Sequence, residues 1–480
     1  MISRVEVHRG RYHDSVRLMQ ASRSLQGVPG VAEALVAMAT ELNLELLHGM
    51  GFDGSAVSDA GPNDLMVAVR AETEEAIDEA RRVLEDALTA RRADTEGLEA
   101  PEPRTIGTAA RASGGRIALI SVPGEHAFVE AMDALEHGLH VMIFSDNVAV
   151  EQEVRLKEHG ARHGLLVMGP DCGTAIVGGV GLGFTNVISP GPVGIVGAAG
   201  TGIQQLCCLL DDAGVGVRHA IGTGSRDLSE AVGATSTLQG LDALDADPGT
   251  EIIAVVSKPP APGIAEAIRR RAAACTKPVV VSFMGETTLE QGAGEVLALL
   301  GVSHRGYASW EAPQGGHRPG SVRGVFSGGT LAEEARFVAA PELGPIGAHE
   351  GDAGHTFVDY GDDTYTRGRA HPMIDQTVRI GRLDQAAGDE SVGVILLDVV
   401  LGYGANPDPA SELAPVIRRS VDRGAAAVVS LCGTRGDPQG RDGQASVLNQ
   451  AGASVWLSNA AAARHAARLG RGIGREDTLA

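Results

Sequence analysis

PVGIVGAAGTGIQQLCCLL, residues 192–210, opens with a β-branched run from Val193 to Val196 and breaks at Gly197. It then passes through Gly200, Thr201 and Gly202 into a segment bearing Ile203, Leu206, Leu209 and Leu210. This pattern predicts strand, glycine loop and helix. Glycine lets the backbone approach a ligand closely, and the free N–H groups and dipole of a helix start favour an anion by ~0.3–1 kcal/mol. The stretch suits a phosphate or a carboxylate, or it serves only as a tight turn between a parallel strand and its helix.

Around this stretch lie 480 residues with 65 glycines and 3% aromatic side chains. That length predicts several domains. Their cores must be built from Ala, Val, Leu and Ile, as alternating strand–helix units require. A formal net charge of -21 argues against a nucleic-acid or anionic-membrane binder, because phosphate backbones need a basic face. Local arginines and helix ends still permit a phosphorylated substrate. The five cysteines, Cys172, Cys207, Cys208, Cys275 and Cys432, show no CxxC pair and no metal-ligand spacing, which predicts reduced thiols. The N-terminal residues carry no apolar signal region and no run is long enough to span a bilayer, so the expected location is the cytoplasm.

Residues 1–100 read as a small α+β unit, ferredoxin-like in its alternation. Strands are expected near 5–8 and 64–69, helices over 14–25 (capped by Asp14) and 73–90 (with Thr73 as N-cap), and a strand or helix over 31–40. No catalytic cluster stands out there, which suits regulation or assembly as well as chemistry. Residues 101–114, containing part of the proline-bearing EAPEPR, read as a linker. From Arg116 a β-α-β-α-β pattern over 115–190 predicts a Rossmann-like domain, with ligands at its strand C-termini. Pro123, Gly124 and Glu125 form its first turn, and Asp146 ends its second strand where an acid would meet ribose hydroxyls. The turn lacks G-x-G-x-x-G, so an NAD site is disfavoured. Cys172 follows the third strand without an evident His or Asp partner, and packing or ligand contact is expected of it rather than nucleophilic attack.

The remainder repeats itself. RGVFSGGTLAEEA (323–335) matches GIVGAAGTGIQQL (194–206) as strand, small-residue loop and helix. HTFVDYGDDTYTRGRAHP (355–372) stands in the place of RHAIGTGSRDLSE (218–230), VGVILLDVVLG (392–402) in that of EIIAVVSKPP (251–260), and AAAVVSLCGTRGDP (425–438) in that of KPVVVSFMGE (277–286). Two related α/β domains in tandem, 191–320 and 321–480, follow. Facing each other, they would aim helix starts at one cleft. The candidate anion-binding residues are Gly197, Gly200, Thr201 and Gly202 on one side and Gly329 and Thr330 on the other. A further helix is expected to open at His371-Pro372. Arg226, Arg367 and Arg369 in adjacent loops are candidate bidentate clamps, the alternative being ion-pair residues. His371 is a candidate acid/base group or a helix-entry cap. Asp359, Asp362 and Asp363 are candidates for Mg²⁺, or for capping a turn.

These motifs carry a resemblance. GPDCGT (169–174), GIVGAAGTGIQQ (194–205), IGTGSRDLSE (221–230), SKPP (257–260), SGGTLAEEA (327–335), DYGDDTYTRGRAHPMID (359–375), LDVVLGYGANPDPA (397–410) and CGTRGDPQ (432–439) resemble the FdrA family of the succinyl-CoA synthetase superfamily. YHDSVRLMQ (12–20) is similar to it too. The resemblance implies a CoA-binding-type Rossmann domain followed by two flavodoxin-like ligase domains, one like the synthetase α subunit and one like the β subunit. It also implies that two opposed helix N-termini stabilise a phosphoryl group. In the synthetases a phosphohistidine lies in a Gly-His-Ala-Gly loop after the strand equivalent to residues 279–283. Here that loop reads MGETTLEQGAGE (284–295), without histidine, and no ATP-grasp domain is visible. The resemblance implies one subunit of a carbamoyltransferase acting on carbamoyl phosphate and oxamate in purine and allantoin nitrogen catabolism. The competing expectations are an NDP-forming acyl-CoA synthetase, which would bind CoA at the 123–125 turn, and a non-catalytic CoA-binding scaffold. Expected partners are a small anionic substrate and other protein subunits in an oligomer. CoA and Mg²⁺ are the candidate cofactors.

Overall fold

A computed structural model of the chain describes every residue except 12, 14, 90–102, 104, 313–316, 367–368 and 472–480. It divides into two compact units. One comprises residues 1–102 with 363–375, and the other comprises residues 103–362 with 376–480.

The first unit is built on an antiparallel sheet in which the strand Leu65–Ala71 lies between Ile2–His8 and Val31–Met38. The helices Ser15–Gln26 and Glu74–Thr89 supply the apolar stripe Leu18, Ala21, Leu25, Ile77, Ala80 and Leu84, which meets Val36, Val67 and Val69 of the sheet. Thr73 accepts from Ala76 N, so the second helix starts at its expected cap.

The larger unit opens with a helix where a linker was expected. Ile106–Ser113 is nucleated by reciprocal bonds between Thr105 and Thr108 and closed by Gly114 in the left-handed region. The prolines of EAPEPR precede it and leave TAARAS free to be helical. Next comes a parallel sheet, Ile117–Ile120, His140–Ile143 and Val167–Met168. Its domain ends earlier than residue 190. The hairpin Thr174–Val177 and Val180–Gly183, turned by Gly178 and Gly179 at φ 58 and 82, pairs antiparallel onto the following sheet.

The two main sheets share one topology. In the first the parallel order is Val279–Phe283, Ile252–Ser257, Val193–Gly197, Val217–Gly222. In the second it is Ala426–Cys432, Val392–Val400, Ser321–Phe326, His355–Asp359. Numbered within each repeat, both read 4-3-1-2, so the tandem relation seen in sequence is a repeat of architecture. The helix Gly200–Asp212 is buried from Thr201 to Leu210, its two glutamines included. Its Gln205 donates to Leu457 O (2.8 Å) and its Cys208 Sγ lies 3.8 Å from Cys432 Sγ, so the first repeat's helix is seated against the second repeat. Among the described residues, no helix is long and apolar enough to cross a membrane.

Candidate functional site

The residues of 192–210 place their helix start against that of the second repeat. A Cβ added at Gly202 would lie 2.9 Å from Thr330 Cγ2, and one added at Gly328 would lie 2.8 Å from Thr201 Cγ2. The helices Gly200–Asp212 and Gly329–Leu343 therefore meet at their N-terminal turns, as the sequence led us to expect. Neither has a side-chain cap, which leaves backbone N–H groups at both starts for another acceptor. Gly197 has a different task. A Cβ there would stand 2.5 Å from Val256 O, so this glycine lets neighbouring strands close up.

Gly329 makes room for a charged pair. Its absent Cβ would be 2.4 Å from Asp359 Oδ2 and 2.9 Å from Lys258 Nζ, so both groups converge on the start of the Gly329 helix. Asp359 ends a strand and accepts from Gly361 N at 2.9 Å. It retains some exposed area but is densely enclosed, and burial pushes its carboxyl up to about 6 against the pull of Lys258. Lys258 was visible in the motif SKPP, yet only the fold brings it from the first repeat to the second repeat's helix.

Behind this pair stands a fully buried one. Arg379 Nη2 donates to Asp398 Oδ1 (2.8 Å) and Val325 O (2.9 Å), and Nη1 donates to Gln376 Oε1 (2.9 Å). Asp398 accepts from Ser327 N and Gly328 N, each at 2.8 Å. The loop entering the Gly329 helix is thus pinned from beneath.

The other expected residues are distributed differently. Arg226 donates to Glu153 Oε2 (3.1 Å) and Val148 O (2.7 Å). Glu153 in turn receives the buried Lys157, which also donates to Asp227. Arg226 thus takes the ion-pair alternative, locking the Val150–Arg162 helix to the 223–234 loop. Arg367 lies outside the described residues. Arg369 and His371 belong to the segment 363–375 of the N-terminal unit. The expected helix at Pro372 begins instead at Thr377. Residues 371–374 form a turn in which His371 O accepts from Ile374 N and His371 Nδ1 accepts from Met373 N. Asp362 and Asp363 are exposed, and among the described residues no three His, Cys, Asp or Glu side chains assemble for a metal ion.

At the first turn of the Rossmann-like sheet, a Cβ on Gly124 would be 2.2 Å from Asp146 O, so protein backbone fills the space in front of that glycine. Glu125 is exposed beside it. Cys172 is buried and donates to Gly222 O (3.3 Å), and burial pushes its thiol up to about 12, away from nucleophilic use.

A buried acid joins the two repeats elsewhere. Glu334 accepts from Leu289 N and, at 2.7 Å, from Asn459 Nδ2, and burial lifts its carboxyl to about 7 from an ordinary 4.5, with Glu290 adding to the lift and Arg464 opposing it. A raised folded pKa means stability is full below about 4.5 and is lost as pH climbs through about 7, on the order of 3 kcal/mol in all. Glu334→Gln should flatten that dependence in denaturant titrations from pH 4.5 to 7.5. Its amide oxygen can keep the Leu289 bond, and its NH2 can donate to Asn459 Oδ1 once the Asn459 amide turns over and gives up its bond to Leu331 O.

Comparison with known proteins fits this architecture. Over 460 residues the chain is 39% identical to "Uncharacterized protein YahF" of Escherichia coli, covering 88% of each. The chain belongs to the FdrA family. Three family models match it. They are "AllF, heavy metal-associated domain" over residues 1–103, "CoA binding domain" over 188–285 and "CoA-ligase" over 325–469. The CoA-binding match falls on the first of the tandem repeats, whereas the sequence motifs placed that domain at 115–190. This FdrA-family chain is also 27% identical over 143 residues to the α subunit of a succinate–CoA ligase [ADP-forming] from Methanothermobacter thermautotrophicus, covering 29% of the chain and 47% of that subunit. Among solved structures, the dinucleotide-forming acetyl-coenzyme A synthetase 1 of Ca. Korarchaeum cryptofilum matches with TM-score 0.33 and 14% identity, covering 81% of this chain and 90% of that one.

Proposed function

We propose that this FdrA-family chain is the acyl-phosphate-handling subunit of a carbamoyltransferase, taking carbamoyl phosphate as donor and oxamate or a similar small amide or carboxylate as acceptor. The observation that carries the reading is the convergence of two uncapped helix starts with Lys258 and Asp359, next to a loop, residues 284–288, that offers no histidine to take a phosphoryl group. A site with donors but no phosphoryl acceptor suits an acyl phosphate used directly.

The amide nitrogen of oxamate attacks the carbamoyl carbon, the bond from that carbon to the phosphate oxygen breaks, and inorganic phosphate leaves. Backbone N–H groups at Gly200, Thr201, Gly202, Gly329 and Thr330, with the Lys258 ammonium, hold the phosphoryl oxygens and the charge that builds on them. Asp359, with its carboxyl near 6, is poised to take the amide proton at neutral pH. In this reading no step passes through CoA or a metal ion.

The test is phosphorus NMR on carbamoyl phosphate plus oxamate, with the purified chain alone and with the products of neighbouring genes. Oxamate-dependent phosphate release together with a carbamoylated product is expected; no release in any combination would overturn the assignment. Because ionised Asp359 is the base, the rate should rise with pH through about 6, and Asp359→Asn should remove that limb of the profile.

A second reading is an NDP-forming acyl-CoA synthetase, favoured by the CoA-binding and CoA-ligase matches. It would show turnover that depends on both CoA and nucleotide.

A further inference from the structure

A domain of the heavy-metal-associated type matched over residues 1–103 raises the question of a metal there. Soft and borderline metals are taken by thiolates, with imidazoles as the next choice. The first cysteine of this chain is Cys172, so residues 1–103 contain none, and their imidazoles are His8, His13 and His48 only. His48 is packed so closely over Gly54 that a Cβ there would be 2.0 Å from its Nε2. Among the described residues no metal-holding group of three forms. The donor set does not fit a heavy metal.

What this unit does hold is a piece of the chain from far away. Residues 363–375 leave the second repeat after Asp362, group with residues 1–102, and return at Gln376. Arg369 Nε donates to Asn43 Oδ1 at 2.9 Å, and Asn43 Nδ2 donates to Met38 O at 2.8 Å. Asn43 is 1% exposed, so this amide is a desolvated acceptor in the first turn of the Glu41–Gly49 helix, tied back to the last residue of the Val31–Met38 strand. The segment adds its own apolar anchors, Met373 and Ile374, both buried. Ordering such a segment costs ~1–2 kcal/mol per residue, which these contacts must offset.

We infer that the N-terminal unit is a clamp for residues 363–375 rather than a metal carrier, with Asn43 the positioning residue that fixes Arg369 and, through the turn after it, His371. The inference goes beyond the transferase reading and does not depend on which acyl group is moved.

Hydrogen exchange read by mass spectrometry on the full-length protein tests it. A hydrogen bond to a charged group contributes ~1.5–3 kcal/mol, so Asn43→Ala should speed exchange of the 364–375 amides by about tenfold or more, with peptides from Ile2–His8 and Leu65–Ala71 unchanged. Arg369→Ala removes the same bond from the other side and should do likewise, which decides the matter if Asn43→Ala disturbs the whole unit. Arg369→Lys, which keeps a cationic donor, should recover most of the protection. Unchanged exchange in Arg369→Ala would overturn the clamp. So would a zinc or copper(I) equivalent bound by the wild-type chain and lost on replacing His8 and His13 by alanine.

Discussion

Gly329→Ala is expected, on the proposed transferase reading, to lower turnover by about a hundredfold or more while changing stability by no more than about 1 kcal/mol. The new methyl would occupy the space where Asp359 Oδ2 and Lys258 Nζ converge, at 2.4 and 2.9 Å. Lys258 can swing its end away and Asp359 can turn its carboxylate at the expense of its bond to Gly361 N, so folding should lose about the worth of one hydrogen bond. The site should lose its pair, since misplacing a catalytic group by about 1 Å can cost a hundredfold. Alanine at Gly202 makes a useful contrast. Its Cβ would press on Thr330 Cγ2 at 2.9 Å and Val256 Cγ1 at 3.0 Å, side chains that are buried and branched, so stability should fall by about 1–3 kcal/mol. Gly294, in the helix Leu289–Leu299 with open space around it, is the neutral control; alanine there should stabilise by about 0.5–1 kcal/mol. Thermal unfolding and turnover measured on the three variants separate the effects. Wild-type turnover in Gly329→Ala would remove Lys258 and Asp359 from the mechanism.

The sequence made the repeats legible because strand, small-residue loop and helix recur with local signals, and the sheet order 4-3-1-2 in both halves follows from that recurrence. The meeting of the Gly200 and Gly329 helix starts was legible for the same reason. Lys258 was harder to read: a lysine before two prolines looks like a loop residue, and nothing local says that it reaches the other repeat. The helix Ile106–Ser113 was hidden by the prolines just ahead of it, and its cap uses Thr108 where a glutamate would have advertised a capping box. Arg226 stayed open between clamp and ion pair because its partner, Glu153, lies on a helix that would otherwise show acids to solvent. The capture of residues 363–375 by the N-terminal unit is wholly nonlocal, and no periodicity could announce it.

Arg379 shows the same limit, and its removal should have the largest effect on stability. Within TVRIGRLDQAAG its charge suggests an exposed face, yet it is 0% exposed. Its guanidinium neutralises Asp398, and Asp398 fixes Ser327 and Gly328 immediately before the Gly329 helix. Desolvating two ions is costly, and their attraction roughly repays it only while both are present. Arg379→Ala therefore leaves a buried carboxylate without its counterion and should cost about 3–5 kcal/mol, a large part of the ~5–15 kcal/mol typical of a folded domain. Arg379→Met with Asp398→Asn should cost less than Arg379→Ala alone, because no uncompensated charge remains and the amide oxygen can still accept from Ser327 N. Urea unfolding of the variants at pH 7 measures the difference. If the double variant proves as unstable as Arg379→Ala, packing of the long side chain rather than its charge holds this loop in place.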